Sequence, residues 1–523
     1  MIPWAEMSKS WALFLIAGWL SLVVYVCTLA PTITWRNDGA DSGDLAVAVA
    51  VGGVPHPPGY PTYLLLGEGF KLLPFGDIAY RLNLLSATCA ALSVAVTGQV
   101  IYWTLLQATL NQSPAAEAGQ AKLLIWLCAL SATLTLAFSG TFWSQATIGE
   151  VYALNVLFVA ILLYGAWQVK PDNERWLVPG LSGLLGLGLG NHLSIGLLLP
   201  ALIWAFRARW HGRLIVAALL AFCVGLSVYL VIPFRAATQP PINWGMATTW
   251  PNFLWLVSAE PYQQFLFALP LKFVPTRIVV ELRLLAEAFM VWGLPVGLLG
   301  LWRLARLNRS LATGSLIVFC LVSAYSIGYN TTDSYVNLLP VLLIFSIWIG
   351  WGLYDIARAG QRFIESRSRS GYLVGWGLVI LPLFSLVLNF SGQNLSQNDE
   401  ALAFARTSLQ GVAPGAVIIT DDDPHTFALW YGRYGLAQRR DVAVVNGNLL
   451  PYAWYRQILL QTHAGLRLSD QAGRPVTTPS TFIELNQPNS PIYLATFGLP
   501  LRPVSYRLEP AGHLQWVVKS PDD

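Results

Sequence analysis

The sequence predicts an all-α polytopic membrane domain of about eleven transmembrane helices followed by a small soluble α/β domain. Of the 523 residues, 55% are hydrophobic and only 11% are charged, whereas ordinary soluble domains are about a quarter charged. The apolar residues form blocks of about 18 to 22 residues, which is the length that crosses a hydrocarbon core. The composition becomes polar after residue 390.

The domain boundary follows from these blocks, with the membrane domain expected over 1–390 and the soluble domain over 391–523. The blocks lie at 11–30, 82–106, 123–142, 151–169, 177–190, 193–206, 214–233, 284–302, 311–328, 336–354 and 372–390. The first block is too long for the apolar core of a signal peptide and has no clear small-residue cleavage site after it, so we expect a membrane helix. Asn191 and His192 interrupt the stretch 177–206, which favours two short spans there.

Basic residues in the short connections predict the orientation. Alternate connections carry Lys122, Lys170, Arg175, Arg207, Arg209, Arg213, Arg303, Arg306, Arg309, Arg358, Arg362, Arg367 and Arg369. The short connections between them carry none. The N-terminus is therefore expected in the cytoplasm and the C-terminal domain outside it, in the plasma (inner) membrane if the chain is bacterial. The long loops 31–81 and 234–283 then lie outside, and the aromatic residues of the second suit a membrane interface.

The C-terminal segment 391–523, called the tail from here on, carries a small α/β pattern. Ala401–Leu409 predicts a helix, and Ala416–Thr420 and Val442–Asn446 predict short buried strands with a helical stretch between them. The residues after the first strand are polar and include Asp421, Asp422, Asp423 and His425. Strand ends often bind ligands in α/β folds, although a solvated acidic loop is the commoner explanation.

The first outer loop holds three carboxylates, Asp38, Asp41 and Asp44. One interpretation is a general base, in a place that would also suit a divalent metal ion. The alternative is structural, because Asp41 and Asp44 are three residues apart and would cap the following helix at its N-cap and third positions. Leu45–Val51 is apolar enough to lie on or in the membrane.

Four prolines in Val54–Pro61 predict a rigid, non-helical segment around His56. His56 either binds a phosphate or substrate, or it stands incidentally in a stiff turn. Glu150 begins a span, and it is either a second acid of the same cavity or a favourable charge at a helix N-terminus.

Polar residues at membrane depth usually line a cavity. Asn191 and His192 fit that description, although a hydrogen-bonded turn explains them equally well. Arg235 ends a span on the outer side, where it would hold a lipid phosphate or simply extend to the interface. Asp333 is a lone acid in an outer turn and is interpreted as structural.

Several other classes of site find no support. The five cysteines all lie in apolar blocks without a short spacing, so we expect neither a zinc site nor a disulfide framework. There is no glycine-rich phosphate loop and no serine-nucleophile elbow. The net charge of +4 is small and indicates no nucleic-acid partner.

A family resemblance emerges from motifs spread over most of the chain. They are Asp41-Ser-Gly-Asp-Leu45, His56-Pro-Pro-Gly-Tyr-Pro61, Arg81-Leu-Asn-Leu-Leu-Ser86, Glu150-Val-Tyr152, Asn191-His192 and Pro241-Ile-Asn-Trp-Gly245, with the stretch from Asp421 to Tyr431. They resemble a family of multi-pass proteins of unknown function that is similar to the protein O-mannosyltransferases acting on plexin-type receptors. The family usually has Glu where this chain has Asp44.

This resemblance implies a GT-C membrane glycosyltransferase that moves a sugar, such as mannose, from a polyprenyl-phosphate donor to a hydroxyl on a protein, lipid or glycan, with inversion. The implied catalytic residues are Asp41, Asp44 and Glu150. The implied donor- and acceptor-binding residues are Asp38, His56, Tyr60, Tyr152, Asn191, His192, Arg235 and Trp244. The C-terminal domain would help to hold the acceptor.

A transporter or flippase of lipid-linked substrates, without transferase activity, is the main alternative. It would also need polar groups at membrane depth. Such proteins usually contain paired internal repeats, and the sequence shows none. A scaffold protein with a degenerate site is a second alternative.

Overall fold

The computed structural model describes residues 4–110, 118–365, 378, 380–495 and 506–519. Arg367 and Arg369 of the expected basic connection, and most of 372–379 in the last apolar block, lie outside the described residues. The side chain of Arg362 does too.

The part before residue 394 is helical. Its α-helices are, in chain order, α1 (Trp4–Thr28), α2 (Asp41–Val51), α3 (Pro61–Lys71), α4 (Ile78–Leu110), α5 (Ala118–Ala137), α6 (Gly140–Ala146), α7 (Tyr152–Gln168), α8 (Glu174–Leu189), α9 (Leu199–Phe206), α10 (Gly212–Leu226), α11 (Val231–Ala237), α12 (Trp250–Val257), α13 (Glu260–Gln263), α14 (Val274–Leu307), α15 (Arg309–Gly328), α16 (Leu339–Glu365) and α17 (Ile380–Gln393). Lipid offers the backbone no hydrogen-bond partners, so helices are the form in which these apolar blocks can cross it.

The eleven apolar blocks all fall on helical segments, the last of them from Ile380 onward. Within the described residues, six helices are long and apolar enough to cross a membrane, or up to seven if the bent pair Ala121–Ala137 and Gly140–Ala146 forms one span. Tyr152–Gln168, Leu193–Phe206 and Ile380–Gln393 are shorter apolar helices. The chain is an integral membrane protein, and the count of eleven crossings stays a prediction.

The expected break at Asn191 and His192 is confirmed. Helix α8 ends at Leu189, and the chain turns before a 3₁₀ segment, Leu193–Leu198, leads into α9. His192 accepts a hydrogen bond from the backbone N–H of Ser194 and so caps this segment.

Helix α2 corrects two expectations. Leu45, Ala46, Val47, Ala48 and Val49 are all fully buried in protein, so this apolar stretch does not lie on the membrane. The N-cap of α2 is Ala40, and no side chain caps the helix. The capping alternative for Asp41 and Asp44 is therefore wrong, and both carboxylates are free for other partners.

The tail has the predicted α/β character. Its elements are α18 (Glu400–Gly411), β1 (Val417–Thr420), α19 (Asp423–Trp430), β2 (Ala443–Asn446), α20 (Ala453–Thr462), α21 (Pro479–Asn486), β3 (Ile492–Leu494), β4 (Tyr506–Ala511) and β5 (Leu514–Lys519). The sheet has the order β2-β1-β3-β5-β4, in which β1 is parallel to β2 and β3. The expected helix and the first two strands are confirmed.

The tail docks directly on the first outer loop. The indole N–H of Trp35 donates to the backbone oxygen of Pro424 at 3.0 Å, and the backbone N–H of Ala79 donates to the hydroxyl of Tyr431 at 3.3 Å. A Cβ on Gly43 would lie 2.9 Å from the backbone oxygen of Phe427. Helix α2 is thus buried by α19 of the tail, which explains how an apolar stretch outside the membrane avoids water.

The second outer loop is only partly an interfacial segment. Val54 and Asn243 form a parallel bridge between the two outer loops, and Trp244 beside it is 7% exposed. Trp250 and Phe267 are 69% and 67% exposed and fit the expected interfacial position. Trp244 is instead part of the protein interior, because the bridge brings it under the first loop.

We predict that Gly43→Ala destabilises the protein by about 1–3 kcal/mol, because a methyl group has no room against the backbone of α19. Gly69→Ala is the matched control, since Gly69 also lies in a helix and an added Cβ there meets nothing within 4 Å. It should be neutral or stabilise by up to about 1 kcal/mol. Unfolding in detergent and proteolytic release of the tail would measure both, and equal stability of the two variants would contradict the docking.

Candidate functional site

Asp44 is the buried centre of the site. It is fully buried, and its Oδ2 accepts hydrogen bonds from the backbone N–H and from Nδ1 of His56, both at 2.8 Å. Its Oδ1 accepts the indole N–H of Trp244 at 3.3 Å. Asp44 is therefore held by three donors from two different loops, and it has no exposed surface with which to meet a substrate.

His56 joins Asp44 to the rest of the cluster. Its Nε2 lies 3.1 Å from the hydroxyl of Tyr60 and 3.5 Å from Oδ2 of Asp41. Burial lowers the pKa of His56, but the charge of Asp41 and the hydrogen bond to Asp44 outweigh it and raise the pKa to about 9. The ring is thus an imidazolium at neutral pH and donates from both nitrogens.

Asp41 is the accessible carboxylate. Its side chain is 40% exposed, against 0% for Asp44, because the first residue of α2 is open to solvent while the fourth faces the interior. Poor hydration raises the pKa of Asp41; the charge of His56 opposes this rise, and the charge of Asp44 adds to it.

Glu150 lies in the interior, close enough for the charge of Asp41 to act on it. It is 2% exposed, and one of its carboxyl oxygens, Oε1, has no hydrogen-bond partner. Burial and the charge of Asp41 raise the pKa of Glu150 well above its usual value. Burial and a neighbouring negative charge both favour the protonated form of this carboxyl.

The tail contributes Phe427 and Asp423 to the site, and the sequence did not assign either residue to it. The ring of Phe427 is stacked on His56, with centroids 6.1 Å apart and planes at 15°, and Tyr262 meets the same imidazole edge-on at 6.4 Å. Asp423 lies four residues before Phe427, and therefore on the same face of α19. Enclosure by protein and the charge of Asp41 raise the pKa of Asp423 to about 6, against the opposing charge of His56.

Asp423 is a missed site residue for a definite reason. From the sequence, the run Asp421 to His425 is either a ligand-binding strand end or a solvated acidic loop, and nothing local ties Asp423 to the first outer loop. The usable signal was the i, i+4 spacing to Phe427 on a helix after a strand. Asp333, which the sequence indicated to be structural, also lies close to the site. Its charge raises the pKa values of Asp41 and Glu150.

The other expected residues lie in two places: Asp38 bonds to Tyr335, and Tyr152 packs with the turn at Asn191 and His192. Asp38 accepts a hydrogen bond from the hydroxyl of Tyr335 at 2.6 Å. The ring of Tyr152 lies 5.5 Å from that of His192, while the side-chain amide of Asn191 donates to the backbone oxygen of Val151 at 3.0 Å. The break in the apolar block is thus a hydrogen-bonded turn that packs behind Glu150.

Arg235 is engaged elsewhere. Its guanidinium lies 2.8 Å from the carboxylate of Glu68 and donates to the backbone oxygens of Ala48 and Gly53. It fastens the end of α2 to α3 and α11, and none of these bonds goes to the cluster around His56.

The residues fit acid–base chemistry in a pocket. One accessible carboxylate stands next to an imidazolium whose other side is fixed by a buried carboxylate, and aromatic rings close around them. Within the described parts of the chain, no group of three or more His, Cys, Asp or Glu side chains is arranged to hold a metal ion.

Two family models match the chain. The one described as "Protein O-mannosyl-transferase TMEM260 N-terminal domain" matches residues 41–214, and the one described as "TMEM260-associated domain 2" matches residues 401–465. The first match begins at Asp41 and includes His56 and Glu150, and the second includes Asp423 and Phe427. Both sides of the cavity therefore lie in matched segments.

Two curated relatives carry the same name. "Protein O-mannosyl-transferase TMEM260" of Mus musculus is 26% identical over 485 residues, which cover 86% of this chain and 65% of the relative. The Dictyostelium discoideum protein is 21% identical over 491 residues, covering 83% and 57%. The chain spans about three fifths of the length of these relatives.

Solved structures share the fold. ArnT from Cupriavidus metallidurans bound to undecaprenyl phosphate superposes with a TM-score of 0.56 at 13% identity, covering 97% of both chains. The archaeal oligosaccharyltransferase AglB from Archaeoglobus fulgidus gives 0.50 at 10% identity, covering all of this chain and 75% of its own. The expected GT-C fold and the resemblance to O-mannosyltransferases are confirmed.

We predict that the protein loses stability as the pH rises from about 6.5 to about 9. The pKa of His56 is raised by folding, so its stabilising charge is complete below the unfolded value and is lost as the pH passes the folded value. The loss is about 3 kcal/mol. Unfolding in detergent across this range would measure it.

His192→Gln is the control for that measurement. Burial lowers the pKa of His192 to about 4, so it is neutral throughout the range and its replacement should leave the pH dependence unchanged. A flat profile in the wild-type protein would show that His56 is not charged.

Proposed function

We propose that this GT-C, O-mannosyltransferase-like protein transfers a sugar, such as mannose, from a polyprenyl-phosphate donor to an acceptor hydroxyl, with inversion at the anomeric carbon. The names of the relatives support the sugar and the transfer. The two structural neighbours were solved with undecaprenyl phosphate and with a dolichol-phosphate, which supports the type of donor.

The observation that carries the proposal is the contrast between two carboxylates on one helix. Asp44 is fully buried and is occupied by three donors, whereas Asp41 is 40% exposed in the cavity. A general base needs to reach the proton that it removes. Asp41 meets this requirement, while Asp44 positions His56.

The proposed reaction is a single displacement. Asp41 accepts the proton of the acceptor hydroxyl, the acceptor oxygen bonds to the anomeric carbon, and the bond from that carbon to the phosphate oxygen breaks. The electron pair of that bond leaves with the lipid phosphate, which regains the charge of a free phosphate.

His56 is the cation suited to that developing charge. Before the reaction, Asp41 and Asp44 together outweigh its single positive charge. Once Asp41 is protonated, only Asp44 remains ionised, so the cluster becomes less negative as the phosphate leaves, which favours the transition state. Arg235, which is already paired with Glu68, is a weaker candidate for this role.

The tail would supply the acceptor side of the cavity. Asp423 and Phe427 come from residues 391–523 and face the cluster of the first loop. We assign Asp423 to hydrogen bonding of the acceptor, because it is a second carboxylate close enough for the charges of Asp41 and His56 to act on it, and a carboxylate there can orient a hydroxyl-bearing substrate.

The membrane placement completes the proposal. The basic connections favour a cytoplasmic N-terminus and an extracytoplasmic site and tail, in the plasma membrane if the chain is bacterial. A donor tail would stay in the bilayer while its phosphate enters the cavity. A flippase would need a path between two faces, whereas the tail and both outer loops gather on one side of this chain.

We predict that Asp41→Asn folds and inserts normally but loses turnover at least a hundredfold, within the usual worth of a general base. Asparagine has the same shape and a half-exposed position to occupy, but it cannot accept the proton. The assay measures transfer from polyprenyl-phosphate mannose to a serine- or threonine-containing peptide. Asp399→Asn is the control, because Asp399 is an exposed carboxylate of the tail whose side chain does not cap α18, and it should retain most activity.

Other outcomes would revise this assignment. Near-normal turnover of Asp41→Asn would remove Asp41 from the chemistry and leave Asp423 as the accessible acid. Activity lost equally in both variants would indicate a general effect of charge.

We predict that Asp423→Asn raises the KM for the acceptor about tenfold, the loss of one hydrogen bond to a charged group, with a smaller change in kcat. Asp421→Asn is its control. Asp421 is close to Asp423 in the chain, but its hydrogen bond from Asn448 is accepted by the backbone oxygen and does not depend on the carboxylate. An unchanged KM for the acceptor, with donor affinity also unchanged, would restrict Asp423 to a structural role.

A further inference from the structure

A second cavity lies at the other end of the helices. It has a volume of about 270 Å³ and is enclosed by α7, α9 and the first turns of α15. Helix α7 begins with Tyr152, next to Glu150 of the reaction cluster, and Trp167 near its other end lines this cavity. At 1.5 Å per residue, the two sites are about 22 Å apart along the helix axis.

The cavity has one apolar and one polar side. The apolar side is formed by Leu163, Ala166, Trp167, Ala201, Leu202 and Ala205. The polar side is formed by Arg209, Asn308, Ser310 and Ser315. We call the whole cavity the basic cleft.

Arg209 of the polar side retains free donor capacity, and a second cation, Arg207, bonds to Ser310 of the same side. Arg209 gives one N–H to Glu174 at 3.1 Å and one to the backbone oxygen of Val169 at 3.2 Å, and a guanidinium has five N–H donors. Arg207 lies over the ring of Trp204 at 3.9 Å and donates to the hydroxyl of Ser310 at 3.4 Å.

The start of α15 adds to this positive side. The side chain of Asn308 accepts the N–H of Leu311, and the first turn of this 20-residue helix points the positive end of its dipole at the cleft. The connections 169–175, 206–213 and 303–309 that surround it contain eight basic and two acidic residues. The cleft is thus complementary to an anion with an apolar chain attached.

We propose that the basic cleft binds one anionic glycerophospholipid of the membrane. Its phosphate would lie between Arg207, Arg209 and Ser310, and part of one acyl chain would fill the apolar side. The shape supports this occupant, because a soluble anion would leave the apolar wall unfilled and an uncharged lipid would leave the remaining guanidinium N–H donors unused. Basic pockets between membrane helices are the usual form of such sites. Binding there would brace α7, α9 and α15 against one another.

The test uses the full-length protein, purified in detergent and analysed by native mass spectrometry with added phosphatidylglycerol. Arg207→Gln and Arg209→Gln should each weaken binding about fivefold, the usual worth of one cation at a lipid surface. Arg306→Gln is the matched control, since Arg306 also stacks on a tryptophan, at 4.0 Å from Trp302, but is not a residue of the cleft, whereas Arg209 lines it and Arg207 donates to Ser310 in it. It should change binding less than twofold.

A second pair of variants tests the apolar side without altering charge. Gly314 lines the cleft, and an added Cβ there meets nothing within 4 Å, so Gly314→Leu should fill the cavity without disturbing the helix. It should reduce lipid binding at least tenfold. Gly180→Leu is the control, because Gly180 also has open space around it on another helix, and it should bind as the wild-type protein does.

Three results would overturn the proposal. Equal binding of phosphatidylcholine would show that the charges are not used. An equal loss in Arg306→Gln would show attraction to the basic surface in general. Displacement of phosphatidylglycerol by a lower concentration of polyprenyl phosphate would make the cleft a site for that lipid instead.

Discussion

The ion pair between Asp44 and His56 is the interaction on which the site depends. A carboxylate without exposure to water is costly unless it is charge-paired and hydrogen-bonded. Asp44 satisfies both conditions by accepting the backbone and ring N–H groups of His56 and the indole of Trp244. Because these donors come from two outer loops, the Asp44 carboxylate holds the two loops in a fixed position relative to each other.

This arrangement lets two acids three residues apart take different roles. Positions i and i+3 share a helix face. Even so, Asp41 at the first position of α2 is partly exposed, whereas Asp44 at the fourth position is covered by protein. His56 therefore holds one carboxylate on its Nδ1 side and meets the other on its Nε2 side. The covered acid supplies position, and the open acid remains available to a substrate.

The tail is part of the same construction. Gly43 lets the backbone of α19 approach α2 closely, and that contact puts Phe427 on His56 and Asp423 on the cavity wall. Membrane helices hold the other side, since the turn at Asn191 packs behind Glu150. The candidate site therefore takes residues from both parts of the chain, while the basic cleft at the far end is lined by the membrane helices and the connections between them.

The sequence by itself determined the apolar helices, the break at Asn191 and the first two strands, because local composition and periodicity decide such features. It could not decide which acids are buried, that Arg235 pairs with Glu68, or that Asp423 joins the site. Those facts depend on contacts between residues far apart in the chain. Burying Asp44 is costly unless His56 and Trp244 bond to it, and Gly43 allows α19 to approach α2 closely. Both contacts form only when distant parts of the chain have folded together.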